Sequence, residues 1–312
     1  MILVTGASGY VGSHIVRRLV EAGKPVRVMV YNRERALREN RLAGLPVEMV
    51  EGDVTRPDTL SGALQGVTAV VHTVAIAIEK GGRSYEQVNY QGTVNLVDAC
   101  LKAGVKRFIN ISQLGADENL PYRFLASKGK AQAYVAASKL DWTALRPSVI
   151  WGPEDEFANT FARLVPLTPI IFPIIGDENS KFQPVWVGDV ATAVLKVLDD
   201  PATIHQEYEL GGPEVLTLKE IEQRTLQAIG AKRIMMPVPL PIIKVVVTLM
   251  EWLLPAPPVT RSLLELLAIP NVTRKNATPL FVEQPKPFTP ENTAEYMRKF
   301  SVKETLARYF GN

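Results

Sequence analysis

Residues 1–12, MILVTGASGYVG, decide how the rest of the chain is read. Ile2-Leu3-Val4 is a short apolar run of the kind that forms a strand buried on both faces. Thr5 to Gly9 make a glycine-bearing turn, and from Tyr10 to about Ala22 the side chains of Ile15, Val16, Leu19 and Val20 share one helical face, with Arg17 and Arg18 opposite. A strand, a glycine turn and a helix in that order aim backbone N–H groups, and about half a positive charge of helix dipole, at a pyrophosphate. Gly6 ends the strand sharply, Gly9 lets a phosphate approach the backbone, and Gly12 lets the helix lie close to the strand. A dinucleotide site is therefore expected to begin with Gly6, Ser8, Gly9, Tyr10, Val11 and Gly12.

Outward from this stretch, strands and helices alternate. A second strand, Pro25 to Val30, ends at Tyr31-Asn32-Arg33, with Arg35 and Arg38 close behind. An acid at that place would accept the ribose hydroxyls of NAD, whereas arginine would pair with the extra phosphate of NADP. No acid stands there. Asn32 and Arg33 are therefore cofactor candidates, and NADP(H) is expected over NAD(H), the contact contributing about 1.5 to 3 kcal/mol; the bland alternative is a solvated arginine face. A third strand, Val47 to Val50, brings Asp53 toward the adenine and Val54 against its face. A fourth, Ala69 to His72, leads into Thr73-Val74-Ala75 over the cofactor.

His72 ends a buried strand and reads as a satisfied structural histidine. His14 and His205 have no partner spacing, so no metal site is expected. A helix from about Ser84 to Ala103 precedes a fifth strand, Arg107 to Ile111, that ends at Ser112. The next helix, about Tyr122 to Ser138, carries Lys128, and a sixth strand, Trp142 to Leu145, leads to Pro147 and Val149, which complete the cofactor candidates. Short connections and right-handed crossovers make this an α/β doubly wound parallel sheet, a Rossmann fold, with its ligand at the carboxyl ends of the strands. The expected division is a dinucleotide-binding domain over 1–151, to which 184–200 also contributes, and a smaller C-terminal α/β lobe over 152–312. Phe182 to Val187, Tyr208 to Leu210 and two helices, Asp189 to Leu198 and Leu218 to Ile229, are expected to build that lobe.

Composition narrows the function classes. The 312 residues are 46% hydrophobic with a net charge of +3, an ordinary globular balance that lacks the dense basic tracts of a nucleic-acid binder. The single cysteine, Cys100, sits in an apolar helix pattern, which reads as core. The first strand starts without a basic leader and apolar segment, so a cytoplasmic location is expected.

Thr5-Gly6-x-x-Gly9-x-x-Gly12, Asp53-Val54, Asn89 with Gly92-Thr93, Arg146-Pro147 with Gly152-Pro153, and Val187-x-Asp189-Val190-Ala191 together resemble an extended or atypical short-chain dehydrogenase/reductase. Tyr208 to Glu214 and Leu254-Pro255-x-Pro257-Pro258-x-Thr260-Arg261 are similar to the nucleotide-binding accessory subunit of respiratory complex I and its bacterial relatives. The resemblance implies a catalytic tyrosine four residues before a lysine on one helical face. Here Phe124 stands four residues before Lys128, and no Tyr-x-x-x-Lys occurs in the sequence. The catalytic candidates are thus Lys128, Ser112 at the place of the family's serine, and Tyr122, which lies six residues before Lys128. Loss of a positioned general acid removes about 10² to 10⁴ in rate. The resemblance then implies an NADP(H)-binding protein with a structural, assembly or sensing role, associated with a respiratory complex. The alternative is an active NADPH-dependent reductase or epimerase on an apolar small molecule, held beneath Phe157, Phe161 and Trp186.

Ile242 to Leu254 is apolar apart from Lys244, Thr248 and Glu251, and Pro241 and Pro255 bracket it. Thirteen helical residues reach about 20 Å, short of the roughly 30 Å of a bilayer core. It reads either as a helix packed into the lobe or as one lying on a membrane or a partner subunit, with Trp252 at the interface. The second reading makes the protein peripheral on the membrane and 242–254 its contact with a membrane-bound complex.

Overall fold

A computed structural model describes residues 1–255, 257–267 and 269–310. The chain forms two units. The first is Met1–Pro147 with Val187–Leu210 and Arg274–Gln284; the second is Ser148–Trp186 with Gly211–Thr273 and the chain from Pro285 on.

Seven parallel strands make the sheet of the first unit. They are β1 (Ile2–Thr5), β2 (Val26–Val30), β3 (Glu48–Glu51), β4 (Ala69–His72), β5 (Arg107–Ile111), β6 (Asp141–Pro147) and β7 (Gln206–Leu210), in the order β7-β6-β5-β4-β1-β2-β3. Leu3, Val4, Val70, Val71, Phe108 and Ile109 are all fully buried, as continuous apolar strands must be when helices cover both faces of a sheet. The longer helices of this unit are α1 (Tyr10–Glu21), α2 (Arg33–Glu39), α3 (Gly92–Lys102), α4 (Arg123–Ala137) and α5 (Val187–Asp199). Strand order reverses at β1, where Thr5 lies level with Met29 on one side and His72 on the other. That reversal opens the crevice in which such sheets bind ligands.

Three expectations change. Tyr208 to Leu210 is the end of β7, paired with β6 at the edge of the main sheet and not part of the smaller lobe, and the expected Asp189–Leu198 helix is the body of α5, the crossover between them. The sequence hides this because 148–186 leaves for the second unit between β6 and its crossover helix. Arg107 secures the returning chain, donating to the Asp141 carbonyl at 2.7 Å and to Thr203 Oγ1 at 2.9 Å. The helix expected from Ser84 starts with a π-helical turn, Glu86–Gln91. There Asn89 is buried, accepting from Ile76 N at 2.8 Å and donating to Ser127 Oγ at 3.2 Å, which ties the loop after β4 to α4. Phe182 to Val187 is two short strands, Lys181–Phe182 and Val185–Trp186, interrupted where Gln183 turns to bond the Gly212 carbonyl.

The second unit is a small α/β lobe around Trp151, Phe161, Phe172, Leu218 and Phe288. Its helices include α6 (Leu218–Ala228) and α7 (Leu240–Leu253), and a two-stranded parallel ribbon joins Ile171–Ile174 to Ile234–Pro237. A capping box between Thr217 and Glu220 starts α6. Buried Asp155 organises the loop before the Ala158–Leu164 helix, accepting from the N–H groups of Gly152, Phe157 and Asn159 at 3.0, 2.8 and 3.1 Å and from the Tyr296 hydroxyl at 3.3 Å. Burial nevertheless pushes its carboxyl up to about 6.

Candidate dinucleotide site

The glycine turn has the form its spacing implies. Gly6 adopts φ +68°, and a Cβ there would come within 2.7 Å of Thr73 Oγ1. A Cβ on Gly12 would collide with the Gly6 carbonyl, so only glycine lets α1 start this close to β1. Gly9 is exposed at the tip, and its N–H donates to the Gly6 carbonyl at 2.9 Å. No side chain caps α1 and no acid lies in its first turn, so no negative charge competes at the helix start. Thr73 Oγ1 donates to the Thr5 carbonyl at 2.7 Å, which holds Val74 and Ala75 beside the turn.

After β2 and β3 lies a cleft of about 400 Å³ lined by Tyr31, Asp53, Thr55, Arg83 and Gln91 among others. Asp53 accepts from Thr55 N at 2.9 Å and from Arg83 at 3.3 Å. The Arg83 guanidinium lies 4.0 Å from the centre of the Tyr31 ring. Val54 is buried, its Cγ2 only 2.6 Å from where a Gly92 Cβ would be. Asn32 caps α2, accepting from Arg35 N at 2.7 Å, while Arg33 is exposed, its N–H on Glu51 at 2.7 Å. Arg35 pairs with Glu39.

Two arginines escaped the sequence reading. Asn40 closes α2 in the left-handed conformation, φ 58°, and the chain then carries Arg41 back to the glycine turn, where its guanidinium donates to the Ser8 carbonyl at 3.0 Å. Arg83 arrives on the loop after β4. Each lies far in sequence from the residue it meets, Ser8 or Asp53, so only the turns that deliver them could have given them away.

At the far end of β5 the buried Lys128 donates to the Ile111 carbonyl at 2.8 Å, and desolvation pulls its ammonium down to about 8. Next along the chain, the Ser112 hydroxyl is buried with no hydrogen-bond partner among the described residues. The fold thus brings Lys128 and Ser112 to the same strand end. Phe124 is one helical turn before Lys128 on α4, its ring edge-on to Tyr85 at 5.6 Å. Tyr122 precedes the helix as its extended N-cap residue, off the ridge shared by Phe124 and Lys128. Pro147 closes β6, its carbonyl accepting Leu114 N at 2.9 Å, whereas Val149 belongs to the second unit and bonds Asn271.

His72 is held between two threonine hydroxyls. Thr93 Oγ1 donates to the Asn89 carbonyl at 2.7 Å, so His72 Nε2 donates to Thr93 at 3.0 Å and Nδ1 accepts from Thr5 at 2.8 Å. Burial, with Lys128 nearby, pushes its pKa down to about 3 and keeps it neutral. Cys100 is buried, its thiol pushed up to about 12. Among the described residues no group of three or more His, Cys, Asp or Glu is placed to hold a metal ion.

A cradle that side chains would fill, a helix start without a capping side chain or first-turn acid, and a buried lysine beside an orphaned hydroxyl define a dinucleotide-binding Rossmann protein. Residues 6–201 match the family described as NAD(P)H-binding, and the chain belongs to it. It is an atypical short-chain dehydrogenase/reductase resembling the accessory subunit of complex I. It is 31% identical over 224 residues to the NADH dehydrogenase (ubiquinone) 1 alpha subcomplex subunit 9 of Arabidopsis thaliana, a match covering 70% of this chain and 56% of that subunit's length. It is 30% identical to the 2-alkyl-3-oxoalkanoate reductase of Stenotrophomonas maltophilia over 86% of this chain and 90% of that enzyme. In fold it is similar to a nucleoside-diphosphate-sugar epimerase of Staphylococcus aureus, with a TM-score of 0.73 at 21% identity over 94% of this chain and 99% of that one.

Proposed function

We propose that this protein holds NADP(H) without the family's ordinary turnover and serves a structural, assembly or sensing role beside a respiratory complex. The observation that carries the reading is Phe124 on the ridge of Lys128: the place from which a hydroxyl would exchange a proton with a carbonyl substrate presents a phenyl ring. Bound NADPH would supply hydride. Gly6 to Gly12 would take the pyrophosphate, and Asp53, Val54 and Arg83 the adenosine. Arg33, with Arg41, would take the extra phosphate; Thr73 to Ala75 and Pro147 would flank the nicotinamide half. Lys128 needs no proton transfer to hold ribose hydroxyls. The likeness to the Arabidopsis subunit supports the place beside a complex, with 242–254 as the contact and a peripheral position on the cytoplasmic side of a membrane. Quantifying the nucleotide that copurifies tests the binding: the reading expects NADP(H) near one per chain, and its absence or replacement by NAD(H) counts against it.

A second reading, an active reductase on an apolar substrate, is favoured by the match along nearly all of the Stenotrophomonas enzyme. It requires Tyr122 or a water to supply the proton. Consumption of NADPH with a series of 2-alkyl-3-oxo acids, lost in Tyr122→Phe, would establish it.

A further inference from the structure

We propose that the second unit docks on a membrane of anionic phospholipid, laying one face of α7 among the acyl chains and taking headgroup phosphate into a basic cleft at the start of the chain that leads into it. This deepens the peripheral placement proposed above and rests on it. The carrying observation is how little of α7 the lobe covers. At about 100° per residue its side chains fall into three sectors. Ile243 and Val247 are buried, with Met250 half-buried on the same sector; Lys244, Thr248 and Glu251 form a polar stripe. Ile242, Val245, Val246, Leu249, Trp252 and Leu253 fill the remaining arc of about 120°, exposed by 43% to 62% and, for Trp252, by 82%.

A soluble surface rarely shows six large apolar side chains on one helical face without a partner. Further exposed apolar side chains stand on the ribbon that precedes α7 in the chain, where Ile234 and Ile170 are 66% and 67% exposed and are joined by a bond from Ile234 N to the Ile170 carbonyl. Immediately before Ile234 the character changes. Lys232, Arg233 and Lys299 line a cleft of about 450 Å³ over a floor that includes Val165 and Ile229, with Phe300 at its side and no carboxylate in its wall. Arg233 is braced by its bond to the Thr168 carbonyl at 2.6 Å. Neither lysine ammonium meets a carboxylate among the described residues.

Cations without acids, contiguous in the chain with apolar side chains and an exposed tryptophan, match the boundary between phosphate headgroups and acyl chains. No helix of the described residues is long and apolar enough to cross a membrane, which leaves α7 lying in the plane of the interface.

The test is co-sedimentation of the full nucleotide-loaded chain with vesicles of phosphatidylcholine alone, or mixed with phosphatidylglycerol, while tryptophan emission is followed. Binding is expected on the anionic vesicles, with a blue shift that Trp252→Ser abolishes. Lys232→Glu with Lys299→Glu is expected to weaken binding about tenfold or more, as is added salt. All three positions are exposed, and unchanged thermal unfolding confirms that each variant is folded. Binding to neither vesicle, equal binding to both, or indifference to the charge reversals overturns the proposal. So does concentration-dependent self-association, lost in Trp252→Ser, without vesicle binding, since a second copy would then cover the face. Nucleotide content measured on the same samples separates failure of the docking from failure of nucleotide retention.

Discussion

Phe124 and Lys128 stand one turn apart on α4, and the lysine's buried ammonium donates to the Ile111 carbonyl. The pair keeps the cation of the short-chain dehydrogenase/reductase site and replaces its phenol with a ring that packs on Tyr85. Lys128→Met separates the two things the lysine does. Its folded pKa of about 8 lies below the ordinary 10.5, so the folded state disfavours the charged form, and stability rises with pH between these values. At pH 7 the methionine variant is expected to melt higher without nucleotide, yet to bind NADPH about tenfold more weakly, by calorimetry.

Gly12→Ala tests the cradle. Its methyl group would collide with the Gly6 carbonyl, so the start of α1 must move away from β1. Expected are a loss of copurified nucleotide and a destabilisation on the order of 1 to 3 kcal/mol by denaturant unfolding. Retention of full nucleotide would mean that the turn does not hold the pyrophosphate.

Arg33→Ser tests the choice of cofactor. The side chain is exposed at the start of α2, its guanidinium donating to the Met49 carbonyl at 3.4 Å, and the only part of the nucleotide it is expected to contact is the extra phosphate, so NADPH affinity should fall about tenfold while NADH affinity stays within about twofold. An equal fall for both would assign Arg33 to a group the two nucleotides share.

Glu222, buried in α6 with Oε1 on Ile175 N at 3.3 Å and Oε2 without a partner among the described residues, is pushed up to about 8 by burial. The folded state keeps a proton that the unfolded chain releases near 4.5, so this residue's contribution is full below 4.5 and is lost as pH rises through 8. Glu222→Gln should therefore raise the melting temperature at pH 8 and change it little at pH 4, in parallel thermal scans.

Most of the first unit was legible because its signals are local: an apolar strand reads as buried, a glycine turn has few alternative uses, and Phe124 declares itself by its spacing from Lys128. The missing parts depend on distant chain. β7 was assigned to the wrong unit because 148–186 interrupts the alternation, and Arg41 and Arg83 reach the crevice only through turns that no periodicity records. The sequence offered α7 as core or as contact surface; its narrow buried stripe shows that it serves the lobe with one sector and leaves another uncovered.

The most direct measurement is the redox state of the nucleotide that the protein carries. Purified protein would be denatured before and after incubation with cell extract, and the released nucleotide identified by mass spectrometry. NADPH that remains reduced through the incubation is the predicted result. Its recovery as NADP⁺ would contradict the account, because a carbonyl or similar acceptor would then be receiving hydride and some group other than residue 124 would be supplying the proton.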